Sequence, residues 1–160
     1  MSSPIIITAM HMRPQMTKAF VMAAQRIEAD TGVKTHAAIT TGDTENIDLC
    51  NQYGVSYHEH DNRPVGRKMN SVLDKIKDID YSHIIVMGSD DIASSSFIER
   101  HKQMMKYSLS GVSDIWFWGL HPKMAGFDTF GYWRRGKGAI LGVGRMIRRD
   151  IVEQCNNMIW

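Results

Sequence analysis

Cysteine is scarce in this sequence: only Cys50 and Cys155 carry thiols among 160 residues, in unrelated contexts and without Cys-x-x-Cys spacing. That excludes a disulfide-stapled miniprotein and a structural zinc knuckle, and it is the usage of a chain kept reduced. Proline is scarce too, with four residues, and no collagen-like repeat occurs. Long apolar runs are missing. Near the N-terminus the longest is Ile5-Ile6-Ile7, with no Lys or Arg before it. A secretory signal needs a basic start and a longer run, and a membrane span needs about 20 apolar residues, so a cytoplasmic chain without a span is expected. An excess of one charge is also lacking, with 19 Lys and Arg against 17 Asp and Glu. With a net charge of +2 and no recognised nucleic-acid motif, no nucleic-acid partner is expected. What is present, 43% hydrophobic and 22% charged residues, is the composition of a folded domain long enough to bury a core unaided.

The charge is unevenly spread. Residues 123–149 hold seven basic side chains (Lys123, Arg134, Arg135, Lys137, Arg145, Arg148, Arg149) against Asp128 alone. Such a segment suits a polyanion such as a phosphate chain, or forms a solvated basic face.

Short β-branched runs alternate with stretches of helical period. Strands are expected at Ile5–Thr8, His36–Thr40, Val55–Tyr57, His83–Met87, Ile115–Trp118 and Ala139–Val143. Helix faces are expected from Met16, Phe20, Ala23, Ala24 and Ile27, and from Met69, Val72, Leu73 and Ile76. A third runs from Phe97 to Met105, with Ser96 and Glu99 at capping-box spacing, and Ile147, Ile151 and Cys155 mark a last one. Strict β/α alternation over residues 1–160, without repeat or linker, predicts one α/β domain: a mostly parallel, Rossmann-like central sheet with helices on both faces. In such sheets ligands sit beyond the carboxyl ends of the strands. The loops there are 9–14, 41–46, 58–68, 88–94 and 119–138.

Chemistry-bearing residues fall largely in those loops. The apolar run His83–Met87 ends in Gly88-Ser89-Asp90-Asp91. Adjacent carboxylates repel unless a cation compensates them, and Mg²⁺ or Mn²⁺ takes such oxygens together with phosphate and water. Helix capping would explain one of the pair but less easily both, so metal binding is the preferred reading. In Asn62-Arg63-Pro64-Val65-Gly66-Arg67-Lys68-Met69-Asn70, Gly66 permits close backbone approach at a helix start that favours anions, with Lys68 and Asn70 in the first turn. Arg13, before Pro14, offers a forked cationic donor. Asp43 either accepts from a base or ribose or caps the next helix. Two motifs mislead. Gly131-Tyr-Trp-Arg-Arg-Gly136-Lys137-Gly138 lacks the Ser or Thr of a phosphate-binding P-loop, and His58-Glu59-His60-Asp61 lacks the further ligands zinc requires. Trp133 is the tryptophan best situated for sugar or base contact.

The order of these pieces resembles the nucleotide-sugar-binding half of a GT-A-fold glycosyltransferase of the broad family 2 type. The resemblance covers nearly the whole chain, though each motif is short. It implies a glycosyltransferase that takes a sugar from a nucleoside diphosphate sugar to an unknown acceptor (glycan, lipid or protein). It assigns nucleotide-sugar contacts to Arg13, Asp43, Gly66, Lys68, Asn70 and Asp90, and diphosphate contacts to Arg134, Arg135 and Lys137. Asp90 and Asp91 would hold Mn²⁺ or Mg²⁺. Gly88 stands where the family's DxD motif begins, and no residue matches the family's catalytic base, as though the acceptor side were short or missing. Two alternatives stay open: a non-catalytic nucleotide- or sugar-binding module on the same fold, and a sugar-phosphate nucleotidyltransferase. The latter usually opens with a Gly-rich loop, and residues 9–14 contain no glycine.

Overall fold

The computed structural model describes residues 2–113, 115 and 140–160. Its elements are β1 (Ile5–Met10), α1 (Pro14–Thr31), β2 (Thr35–Thr40), α2 (Thr44–Tyr53), β3 (Ser56–His60), α3 (Val65–Ile76), β4 (His83–Val86), α4 (Ser95–Gln103), β5 (Leu109–Ser110), β6 (Arg145–Arg148) and α5 (Arg149–Gln154). The six strands form one sheet in the order β3-β2-β1-β4-β6-β5. Strands β1 to β4 are parallel, whereas β6 runs antiparallel to both β4 and β5. This is the expected mostly parallel α/β architecture.

Strand alternation sorts side chains onto two faces. Ile6, Ala37, Ile39, Ile85 and Met146 pack with Phe20, Val21, Ala24 and Ile27 of α1, Cys50 of α2 and Ile98 of α4. Ile5, Ile7, Ala38, Ile84 and Ile147 meet Met69, Val72, Leu73 and Ile76 of α3 and Val152 of α5 on the other face. Helices therefore cover both faces, as the periodicities predict. Pro14 opens α1 at a position where its missing N–H costs nothing.

Four local expectations are corrected. The strand expected at Ala139–Val143 lies at Arg145–Arg148; residues 140–144 are loop and turn. Ile147 belongs to that strand, so the last helix starts at Arg149. The α4 cap is Ser94, whose Oγ accepts the Phe97 N–H at 3.3 Å, two residues before the capping-box serine. Asp43 stands at the α2 cap position but caps nothing with its side chain. The expected strand Ile115–Trp118 lies outside the described residues except Ile115, which is not in a strand. Among the described residues, no helix is long and apolar enough to cross a membrane.

Under α3, His36 of β2 and His58 of β3 have ring centroids 5.7 Å apart. His58 pairs with Ser71 of α3 at 2.7 Å. Burial, then the neighbouring His36, Lys75, His60 and Lys68, push His58 down to about 4; burial and Lys75 lower His36 as well. An unfolded histidine titrates near 6.5, so the unfolded chain binds more protons between pH 6.5 and about 4, and stability falls as pH falls through that window. The expected loss from His58 is on the order of 1–3 kcal/mol. Urea unfolding at pH 7 and pH 5 will show this slope, and His58→Gln will flatten it in part, because His36 and the buried His83 shift the same way.

Candidate functional site

The chain runs from β1 outward through β2 to β3, then returns to place β4 on the other side of β1. The loops after β1 and β4 leave adjacent strand ends and lead to α1 and α4, which pack on the same face; the crevice between the two loops is where sheets of this kind take their ligands. Arg13 from the first loop and Asp90 from the second meet across it, Nη1 to Oδ2, at 2.9 Å. Both side chains are largely solvent-accessible. Their attraction is worth little as stability but fixes a cation and an anion at the crevice mouth.

The loop after β1 is bent sharply. Met12 and Arg13 both lie in the left-handed region, with φ of 51° and 58°. Asp43, at the end of the β2 loop, accepts the Met12 N–H at 2.7 Å and an Asn46 N–H at 2.7 Å on the same oxygen. Asp43 thus ties the two loops together rather than capping α2.

Lys68 sits beneath them with 1% of its surface exposed. Its ammonium donates to Met10 O, to Thr40 Oγ1 at 2.7 Å and to Asn62 Oδ1 at 3.4 Å. It fastens the carboxyl ends of β1 and β2 to the segment entering α3, and desolvation lowers it to about 8, opposed by Asp43. Thr40 Oγ1 also lies 3.0 Å from His11 Nδ1.

The two adjacent acids point differently. Asp91 closes a turn: its carboxylate accepts the Gly88 N–H at 2.6 Å, and its own N–H donates to Gly88 O at 3.1 Å. It borders a small apolar pocket with Ile6, Phe20, Ala24, Ile27 and Met87. That burial raises its carboxyl above the usual range, against the Gly88 N–H and together with the charge of Asp90. Asp90 faces outward to Arg13. Both carboxylates nevertheless flank the same glycine: a Cβ on Gly88 would lie 2.7 Å from Asp91 Oδ2 and 2.9 Å from Asp90 Oδ1. Carboxylate oxygens are the hard donors a divalent cation takes, and the outward Asp90 is the one open to it. Among the described residues no group of three or more His, Cys, Asp or Glu side chains is placed to hold a metal, so phosphate and water would have to complete the shell.

Gly66 and Asn70 meet the protein itself. A Cβ on Gly66 would lie 3.2 Å from Trp160 Cβ. Asn70 Oδ1 accepts the N–H groups of Ile159 and Trp160 at 3.1 and 3.2 Å, while its Nδ2 donates to Trp160 O at 2.8 Å. Arg63 and Arg67 are exposed. His58 and His60 turn to Ser71 and to Asp61 O respectively, and no group of three or more metal ligands includes them among the described residues. Arg134, Arg135, Lys137 and Trp133 lie outside the described residues. The sequence reading brings Arg13, Asp43, Lys68, Asp90 and Asp91 to one sheet end; it misses Asn46, His11 and Thr40. Asn46 had one signal, a polar residue four before Cys50 on the buried face of α2.

No protein-family model and no curated protein matches the chain. Solved structures do. A protein described as a nucleotide-diphospho-sugar transferase from Desulfovibrio desulfuricans is 15% identical, with a TM-score of 0.52 over 69% of this chain and 58% of its own. S. aureus TarS in complex with UDP-GlcNAc is 9% identical, with a TM-score of 0.60 over 96% of this chain and 47% of its own. A cytidylyltransferase from Leptospira borgpetersenii is 12% identical, with a TM-score of 0.61 over all of this chain and 66% of its own. The chain thus has the GT-A-type fold of nucleotide-diphospho-sugar transferases and spans between 47% and 66% of the length of these three proteins.

Lys68→Met removes the buried ammonium and leaves Met10 O, Thr40 and Asn62 without their donor. It is expected to cost about 2–4 kcal/mol in denaturant unfolding. Arg67→Met, one residue away and exposed, is expected to change stability by no more than about 0.5 kcal/mol.

Proposed function

We propose that this chain is the donor-binding part of a glycosyltransferase that uses a nucleoside diphosphate sugar. The single observation carrying the reading is the Arg13–Asp90 pair across the crevice between β1 and β4, on a fold shared with a UDP-GlcNAc complex. A guanidinium fork matches diphosphate oxygens, and Asp43 with the β2 loop borders the space for ribose and base. Asp90, with Asp91 behind it, is the candidate holder of Mn²⁺ or Mg²⁺; when bound, the ion would stabilise charge on the departing diphosphate. Lys68 works from below, holding both loops rather than touching the phosphate. Gly66 and Asn70 support the start of α3 through Trp160, not the nucleotide. Arg134, Arg135 and Lys137, outside the described residues, remain candidates for the diphosphate by their charge alone.

In the reaction, the bond from the anomeric carbon to the diphosphate breaks and a bond to an acceptor hydroxyl forms. The acceptor loses its proton, and nucleoside diphosphate departs with the electron pair. Arg13 orients the diphosphate and offsets its growing charge. Nucleotidyl transfer, the chemistry named for the Leptospira neighbour, is less well supported. The loop after β1 contains no glycine, and its Met12 N–H is already given to Asp43 rather than free for a phosphate.

The test is calorimetry and thermal shift with nucleoside diphosphates and their sugars, with and without Mn²⁺. A ligand at 100 times its Kd should add about 2.7 kcal/mol. Binding is expected to be tighter with Mn²⁺, to lose that enhancement in Asp90→Asn, and to weaken about tenfold or more in Arg13→Ala. Slow release of free nucleoside diphosphate from the sugar donor would separate a transferase from a binding module. No response of the wild type to any of these ligands overturns the reading.

A further inference from the structure

Two consecutive non-glycine residues with positive φ are uncommon, and here one of them precedes proline, which biases Arg13 toward extended backbone. Residues in such conformations persist only where their surroundings hold them. The surroundings are specific. Asn46, on the buried face of α2 with no exposed surface, donates through Nδ2 to Met12 O at 3.0 Å and to Asp43 Oδ2 at 2.7 Å. Asp43 Oδ2 in turn accepts the Met12 N–H. Both backbone polar groups of Met12 are therefore gripped by one closed set of hydrogen bonds. The Met12 side chain itself is 64% exposed and supplies no anchoring. The Arg13 carbonyl accepts from Met16 and Thr17 N–H groups and so begins α1, while its guanidinium reaches Asp90.

We infer that Asn46 is a positioning residue for the crevice: by clamping Met12 it holds Arg13 in the left-handed conformation that directs the guanidinium across to Asp90. Asn46 is itself buried and is separated from the crevice by the loop it holds. Its effect on a diphosphate ligand passes through the backbone of residues 12 and 13. The inference rests on the functional reading above for the identity of the ligand, but the clamp is a property of the chain alone. It makes α2 a determinant of donor affinity.

Four proteins test it: wild type, Asn46→Ala, Met12→Gly, and the double variant. Glycine adopts positive φ without strain, so it replaces the clamp's local task but no packing role of Asn46 in α2. Asn46→Ala is expected to weaken nucleoside diphosphate binding about tenfold. It should also reduce protection of the Met12 amide against hydrogen exchange about tenfold, because Asp43, the acceptor of that N–H, is no longer held in place by Asn46. Met12→Gly alone should bind within about threefold of wild type, and the double variant should recover most of the affinity lost by Asn46→Ala. A double variant no better than Asn46→Ala, or an Asn46→Ala protein that binds as wild type does, overturns the proposal. If wild type binds no nucleoside diphosphate, the functional reading falls, and the clamp is judged by the amide: unchanged Met12 protection in Asn46→Ala overturns it. Asn46→Ser, too short to reach both partners, carries the same comparison if the alanine protein does not fold.

Discussion

A buried ammonium group is the constraint from which this sheet end is built. Lys68 has three oxygen acceptors, drawn from β1, from β2 and from the segment before α3. A buried cation is tolerated only when its donors are satisfied, so the three segments cannot separate without stranding the charge. Met10 and Thr40 are the final residues of their strands. The loops that begin just beyond them, His11 to Arg13 and Thr41 to Asp43, inherit their starting points from this contact. The link between Asp43, Met12 and Asn46 then fixes the loops to one another.

Above this base lies a division of labour between acids. Asp91 turns inward to finish the turn after β4, and Asp90 turns outward to meet Arg13. Neighbours in sequence, the two work in different surroundings, one beside apolar side chains and one in water. The outward acid is the one that a dissolved ligand or ion would meet first.

Much of the architecture was legible because it is written in periodicities. Ile5-Ile6-Ile7 alternates between faces, and Met69, Val72, Leu73 and Ile76 face one core. The displaced strand shows where periodicity fails. Ala139–Val143 reads as apolar, while Arg145-Met-Ile-Arg148 has charged ends, yet β4 pairs with the latter because Met146 and Ile147 fill the two cores. Strand preference follows what the neighbouring strand and layers offer. At the site, residue types announced the general place, and partners did not follow from them. Lys68 reads as a phosphate ligand until Met10, Thr40 and Asn62, distant in sequence, surround it. Gly66 correctly signals a close approach, but a missing side chain says nothing about what approaches, and here it is Trp160. Asn46 is silent in sequence because its task depends on a backbone conformation 34 residues away.

The space above Gly88 has a consequence for the residue that can stand there. Two carboxylate oxygens already fill the volume that any side chain at that position would occupy. A side chain introduced at position 88 would therefore have to push both carboxylates aside, so glycine there is what leaves Asp91 room to close its turn and Asp90 room to face Arg13.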